Sequence, residues 1–170
     1  MLVPRARRVG YIRNSSNPIA ARDLEAAQRV ARTLGLQLIS LDARDPDELD
    51  AALQAIPGSG ASAVLIGGDA LIYSNMTKVA QAVRKAKLPA ICPYSDYQAS
   101  GVLMSYGANT TEMGRRMAVC VDKLLKGAKP ADLPIEEIFT YKLIIDLRVA
   151  RELGIKVPQD LLLRADEVIR

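Results

Sequence analysis

Short apolar runs alternate with longer segments of helical periodicity through the first two-thirds of the chain. The runs lie at 9–12, 36–41, 63–66, 88–91 and 102–106. They lack sustained alternation, which is typical of strands covered on both faces. Between the first two runs, apolar residues recur at positions 20, 24, 27, 31 and 34, and this spacing predicts a helix. The pattern predicts βαβ units, so we expect an α/β fold with a parallel sheet and helices on both faces.

Capping residues mark the starts of the later helices. Asp45 precedes Pro46 and two further acids, an arrangement that favours a helix amino end. A third helix is expected from 69 to about 87. Asn109 is followed three positions later by Glu112, which matches a capping box and predicts a helix to about 126.

The last part of the chain does not repeat the earlier unit. A proline-containing linker at 130–134 precedes an expected extended segment and two short helices. We therefore expect this part to pack away from the sheet. The prediction divides the chain into an α/β ligand-binding lobe at 1–108 and a second part at 109–170.

Composition narrows the class of protein. The 170 residues fit one domain, and 49% apolar with 25% charged residues is close to the average for soluble proteins. The net charge of +4 is spread out and tryptophan is absent, which argues against nucleic-acid binding. Cys92 and Cys120 lie in apolar contexts and are expected to behave as small hydrophobes. Without an apolar leader or spanning segment, the chain as written is expected to stay in the cytoplasm.

The sequence lacks the residues and motifs that common catalytic sites require. Histidine is absent, which excludes Ser-His-Asp triads, Cys-His pairs and histidine-based metal sites within this chain. The sequence also contains no nucleophile elbow and no phosphate-binding loop. We expect no catalytic residues, no metal and no cofactor, and hence no enzyme.

Polar residues follow three predicted strands and would meet at one edge of the sheet, where open α/β sheets bind ligands. The candidate ligand-binding residues are Asn14, Ser15, Ser16, Asn17, Asp69, Ala70, Tyr94, Ser95, Asp96 and Tyr97. Hydroxyls and amides suit an anion, and Asp69 suits an ammonium group, so the set favours a small polar or zwitterionic ligand. The asparagines and Asp69 could instead only cap helices, and the tyrosines could only cover the core. Tyr106 and Gly107 are a candidate hinge.

Several segments in a fixed order resemble a known family. They are Val9-Gly-Tyr-Ile-Arg-Asn-Ser-Ser-Asn-Pro18, Ala31-Arg-Thr-Leu-Gly-Leu36, Leu88-Pro-Ala-Ile91, Gly101-Val-Leu-Met-Ser-Tyr-Gly107, the stretch 122–134, Leu143-Ile-Ile-Asp146 and Ala165-Asp-Glu-Val168. The order and spacing resemble the substrate-binding proteins of an uncharacterised group of bacterial ABC importers, over nearly the whole chain.

The resemblance implies a type I periplasmic-binding-protein fold, in which two lobes close over a small solute such as an amino acid. It also implies export or lipid anchoring of the full-length parent and transfer of the solute to a membrane permease. Compared with that pattern, we expect this chain to lack most of the first lobe. Apolar residues of the helix at 109–126 would then lack partners, so a homodimer is expected. These residues are Met113, Met117, Cys120 and Leu124.

Two other functions are consistent with an α/β lobe. An effector-sensing domain of a transcriptional regulator shares the architecture, and an upstream DNA-binding motif would favour it. A small flavodoxin-like enzyme is the other alternative, and the missing reactive groups argue against it.

Overall fold

The structure, a computed structural model, describes residues 2–4, 6–95, 101–135 and 140–170. The strands are β1 (Arg8–Asn14), β2 (Gln37–Ala43), β3 (Ala63–Ile66), β4 (Ala90–Cys92), β5 (Met104–Ala108), β6 (Tyr141–Asp146) and β7 (Glu167–Ile169). The helices are α1 (Ala20–Thr33), α2 (Pro46–Ala55), α3 (Ala70–Ser74), α4 (Met76–Lys85), α5 (Thr110–Leu125), α6 (Leu147–Glu152) and α7 (Gln159–Arg164).

The strands form one sheet in the order β2-β1-β3-β4-β5-β6-β7. The first five are mutually parallel, β6 is antiparallel to β5, and β7 is parallel to β6. The α/β fold class expected from the apolar pattern is therefore confirmed, with an edge of reversed strands that the pattern did not indicate.

The strand order creates a switch point beside β1. The chain moves outward through α1 to β2, then returns across β1 through α2 to β3. Right-handed crossovers in opposite directions place α1 on one face of the sheet and α2 and α4 on the other. The loops after β1 and β3 consequently leave the sheet toward opposite faces. Their divergence opens a crevice at the carboxyl edge, where ligands bind in folds of this kind.

Side-chain caps start two of the helices as the sequence indicates. The Asp45 carboxylate accepts the Glu48 N–H at 2.8 Å, and the Asn109 side-chain oxygen accepts the Glu112 N–H at 3.2 Å. The expected helix from 69 to 87 is instead divided into α3 and α4. Asn75 separates them with φ −111° and ψ 16°, and its side-chain amide donates to the Leu71 carbonyl at 2.8 Å. This local hydrogen bond competes with a continuous helical ladder.

The main core lies between the sheet and the layer formed by α2 and α4. Ile12, Leu49, Ile72, Met76 and Val79 are each fully buried there. The position of this core follows from the sequence, because β1 and β3 supply apolar residues at the centre of the sheet. It holds the strand ends, and hence the loops that follow them, in fixed relative positions.

The tail enters the sheet, contrary to the expectation that it packs elsewhere. β6 extends the sheet beside β5, and a second apolar cluster of Leu103, Val149 and Ala150 forms around α6. The backbone explains the difference, since Asn109 N–H donates to the Thr140 carbonyl at 3.0 Å and closes β5 and β6 into a hairpin. The division of the chain into a ligand-binding lobe at 1–108 and a second part at 109–170 stays a prediction.

Helix α5 lies between the two strands of that hairpin in sequence and has no buried residue. The side chains of Met117 and Leu125 are 63% and 83% exposed. Cys120 is only partly buried for the same reason, whereas Cys92 is buried in the main core as expected. Among the described residues, no helix is long and apolar enough to cross a membrane.

Gly107 is required by the close approach of neighbouring backbone. A Cβ atom at this position would lie 2.0 Å from the Pro93 carbonyl oxygen, whereas a Cβ at Gly114 on α5 would meet nothing within 4 Å. We expect Gly107→Ala to lower the free energy of unfolding by at least about 2 kcal/mol through overpacking. Gly114→Ala, the matched control, should raise it by about 0.5–1 kcal/mol because alanine favours the helix. Urea unfolding measures both, and equal effects would contradict the packing explanation.

Candidate functional site

The Asp69 carboxylate lies at the centre of the carboxyl edge and connects the loops after β1 and β3. Asn14 donates its side-chain amide to Asp69 Oδ1 at 3.0 Å, and Asn17 donates to Oδ2 at 2.7 Å. Asp69 Oδ1 also accepts the Leu71 N–H at 2.8 Å and so caps α3. The expected meeting of these polar residues is therefore observed between the first two loops.

Hydrogen bonding keeps Asp69 ionised. Desolvation raises the pKa of this carboxyl, but hydrogen bonds from Asn17, Asn14 and the backbone of α3 outweigh it and leave the pKa below its ordinary value. Because the folded pKa is depressed, the stabilising contribution of the carboxylate is present at neutral pH and is lost only as the pH falls through that lowered pKa. A negative charge therefore lies at the crevice at neutral pH.

The Tyr94 side chain connects the third loop, which follows β4, to the second loop, which follows β3. The Asp69 N–H donates to the Tyr94 hydroxyl at 2.7 Å, and that hydroxyl lies 3.0 Å from the Asp69 carbonyl and 3.2 Å from the Gly67 carbonyl, either of which can accept its proton. The Tyr94 ring also meets the Tyr73 ring edge-on, with centroids 5.0 Å apart. Burial raises the pKa of Tyr94 to about 12, so the phenol stays protonated and acts as a structural link.

The base of the third loop is fixed to β5. The buried Ser95 hydroxyl donates to the Ala108 carbonyl at 2.8 Å, and Pro93 lies against Gly107. Tyr106 and Gly107 are both inside β5, opposite Leu143 and Lys142 of β6. Their hinge role stays a prediction, and the contact with Pro93 gives Gly107 an independent packing reason.

Exposed groups line the outer side of the same edge. Ser15, Ser16 and Ala70 are exposed, while Asn14 and Asn17 are partly buried. The hollow between the first two loops measures only about 10 Å³, which is close to the room that one water molecule needs. The arrangement is a wall of polar groups, and it does not enclose a ligand by itself.

The structure supports some alternatives from the sequence and corrects others. Asp69 does cap a helix, whereas α1 begins after Ile19 without a side-chain cap. Asn17 instead accepts the Ile19 N–H at 3.0 Å, and Asn14 accepts the Ser16 N–H at 3.0 Å, so both asparagines shape the loop. The candidate residues Asp96 and Tyr97 lie outside the described residues.

Gly67 also shapes the candidate site, although the sequence pattern did not indicate this role. A Cβ atom there would lie 2.9 Å from the Ile12 carbonyl oxygen, so glycine is needed for β3 to end beside β1. The paired glycines directly after the apolar run 63–66 were the available signal. In the described ranges, no cluster of three or more His, Cys, Asp or Glu side chains is arranged to hold a metal ion.

A mostly parallel sheet with polar loops at its carboxyl edge defines an α/β lobe of the periplasmic-binding-protein kind. The family model for ABC transporter substrate binding proteins matches residues 1–169, and the chain belongs to that family. No curated protein matches its sequence.

Solved structures share the fold of this chain. An ABC domain from Streptococcus pneumoniae in complex with L-Trp matches with a TM-score of 0.87 at 26% identity, over 99% of this chain and 57% of that one. A conserved domain protein from Vibrio cholerae matches with a TM-score of 0.86 at 24% identity, over 98% and 56%. An open, ligand-free substrate binding protein with adhesive properties from Clostridium difficile matches with a TM-score of 0.71 at 20% identity, over 99% and 56%. The chain thus spans a little more than half the length of these proteins.

The link through Tyr94 can be tested by removing one oxygen atom. Tyr94→Phe leaves the partly buried Asp69 N–H without its acceptor, and we expect a loss of about 1–2 kcal/mol in the free energy of unfolding. Tyr141→Phe is the control, because that side chain is 54% exposed and the change should stay within about 0.5 kcal/mol. Urea unfolding of both variants provides the comparison, and a neutral Tyr94→Phe would show that the hydroxyl does not join the loops.

Proposed function

We propose that this chain forms one wall of the solute-binding cleft of an ABC importer's substrate-binding protein and captures a small polar ligand, an amino acid, without chemical change. The observation that carries the proposal is the Asp69 carboxylate held by Asn14 and Asn17 where the loops after β1 and β3 diverge. Membership of the substrate-binding family supports it.

The charges and donors of the wall suit a zwitterion. Asp69 Oδ2 accepts the Asn17 amide, and a carboxylate oxygen can accept more than one hydrogen bond. This leaves acceptor capacity for a ligand ammonium group. The exposed hydroxyl of Ser15 can donate to a ligand carboxylate, whereas the Ser16 hydroxyl already donates to Asn14 Oδ1 at 2.7 Å. The L-Trp in the Streptococcus pneumoniae structure supports an amino acid as the ligand class.

Capture without chemistry is consistent with the groups at this edge. The whole chain contains no histidine, and Tyr94, with a pKa of about 12, stays protonated at neutral pH and is a poor proton donor. The remaining polar groups act as hydrogen-bond partners. In this proposal the complete protein is periplasmic or lipid-anchored, its second wall closes over the solute by rotation near Tyr106 and Gly107, and a membrane permease receives the solute.

Asp69→Asn tests the site with a side chain of the same size. The change removes the charge but keeps an oxygen that can cap α3, so an amine-bearing ligand should bind about tenfold more weakly. NMR titration with L-Trp and other amino acids, which detects weak binding, measures the change.

Asp122→Asn on α5 is the matched control, because it removes one carboxylate far along the chain from the loops. It should leave the affinity unchanged. Equal affinities for the chain and Asp69→Asn would exclude Asp69 from the site. Saturable binding of sugars in preference to amino acids would overturn the ligand class.

We further propose that two copies of this chain associate through α5. The helix carries exposed apolar residues and has no buried one. Exposed apolar surface of this kind favours association. A second copy can bury both stripes symmetrically. The exposed stripe comprises Met117, Val121, Leu124 and Leu125.

Val121→Glu should weaken the dimer at least about tenfold, because it places a charge inside the apolar contact. Val30→Glu on α1 is the matched control, since Val30 is 59% exposed and Val121 is 53% exposed. Light scattering coupled to size-exclusion chromatography measures the mass over a range of concentrations. A monomer at every concentration, or equal effects of the two substitutions, would contradict association through α5.

A further inference from the structure

A groove with a cationic rim runs between α2 and α4, on the outer side of the helical layer. Its volume is about 560 Å³. Its lining residues come from α2, α4 and the turns that follow these helices. It is separate from the loops at Asp69, whose own hollow is lined by other residues. The groove therefore plays no part in the site described above.

The floor of the groove is apolar. Leu53 and Ala82 lie on facing helices, and Pro57 and Ala86 continue the apolar surface beyond the helix ends. Leu53 is buried, whereas Ala82 and Ala86 are partly exposed. A partner would gain free energy by covering this surface with its own apolar side chains.

The rim carries more positive than negative charge. Lys78 is paired with Asp50, the one acid in the lining, through contacts of 2.8 and 3.1 Å. Lys85 and Lys87 complete the rim, and within the described ranges neither forms an ion pair. Two cations thus remain for charges supplied from outside.

We propose that this groove docks an acidic amphipathic helix of a partner protein. Small-molecule sites are concave and enclose most of their ligand, whereas this groove is formed by two helices and is open along them. Each helix has 10 residues and is about 15 Å long, which matches roughly three turns of a docked helix. Leucines of the partner would cover the floor, and flanking glutamates would pair with Lys85 and Lys87.

A synthetic helical peptide provides the probe, with leucines at i, i+3, i+4 and i+7 and glutamates beside them. We expect saturable NMR shift changes confined to α2, α4 and the turns after them. A peptide with glutamine in place of every glutamate should bind about fivefold or more weakly, and added salt should weaken only the acidic peptide.

The double variant Lys85→Gln, Lys87→Gln should bind the acidic peptide about fivefold more weakly, with its fold checked by circular dichroism. Lys123→Gln, Lys129→Gln is the matched control and should bind like the unchanged chain. Equal binding of the two peptides, loss of affinity in the control alone, or no saturable shift would overturn the proposal. Binding of decanoate at the same residues without binding of the peptide would also overturn it, in favour of a small anionic amphiphile.

Discussion

The carboxylate of Asp69 is the connection on which the candidate site depends. It accepts amides from Asn14 and Asn17, and its own backbone N–H is bound by Tyr94. Three loops are thereby held at one edge of the sheet. Hydrogen bonds to an ionised group are stronger than those between neutral groups, so the charge of Asp69 strengthens the link between the loops after β1 and β3, and the neutral bonds of Tyr94 add the third loop.

Much of this fold follows from local features of the sequence. The apolar run 63–66 coincides with β3, and Asp45 and Asn109 cap α2 and α5 as their neighbours indicate. Local rules failed where long-range pairing decided the outcome. The sequence of the run 141–146 does not indicate which strand it pairs with. Its position in the sheet is set by its hydrogen bonds to β5.

The site was predictable as a set of loops but not as a network. The predicted strand ends and the polar residues that follow them were enough to predict that Asn14, Asn17 and Asp69 lie close together. The bond from the Asp69 N–H to Tyr94, across 25 positions, depends on where β4 lies beside β3, which sequence spacing does not specify. The same limit applies to position 107, where glycine is needed because the Pro93 carbonyl, directly after the adjacent strand β4, lies too close for a Cβ atom.

The hydrogen bond between Asn109 and Thr140, which lies at the open end of the β5–β6 pair, affects how the chain tolerates insertions and deletions. The excursion, which is the part of the chain between Asn109 and Thr140 and contains α5, leaves the sheet at the end of β5 and returns beside that point at the start of β6. It is therefore an insertion between two paired strands. The entropy of closing such an excursion grows slowly, by about 0.6 kcal/mol for each doubling of its length. The sheet and the excursion can therefore diverge at different rates, with the strands keeping their register while the inserted segment lengthens, shortens or acquires a different partner.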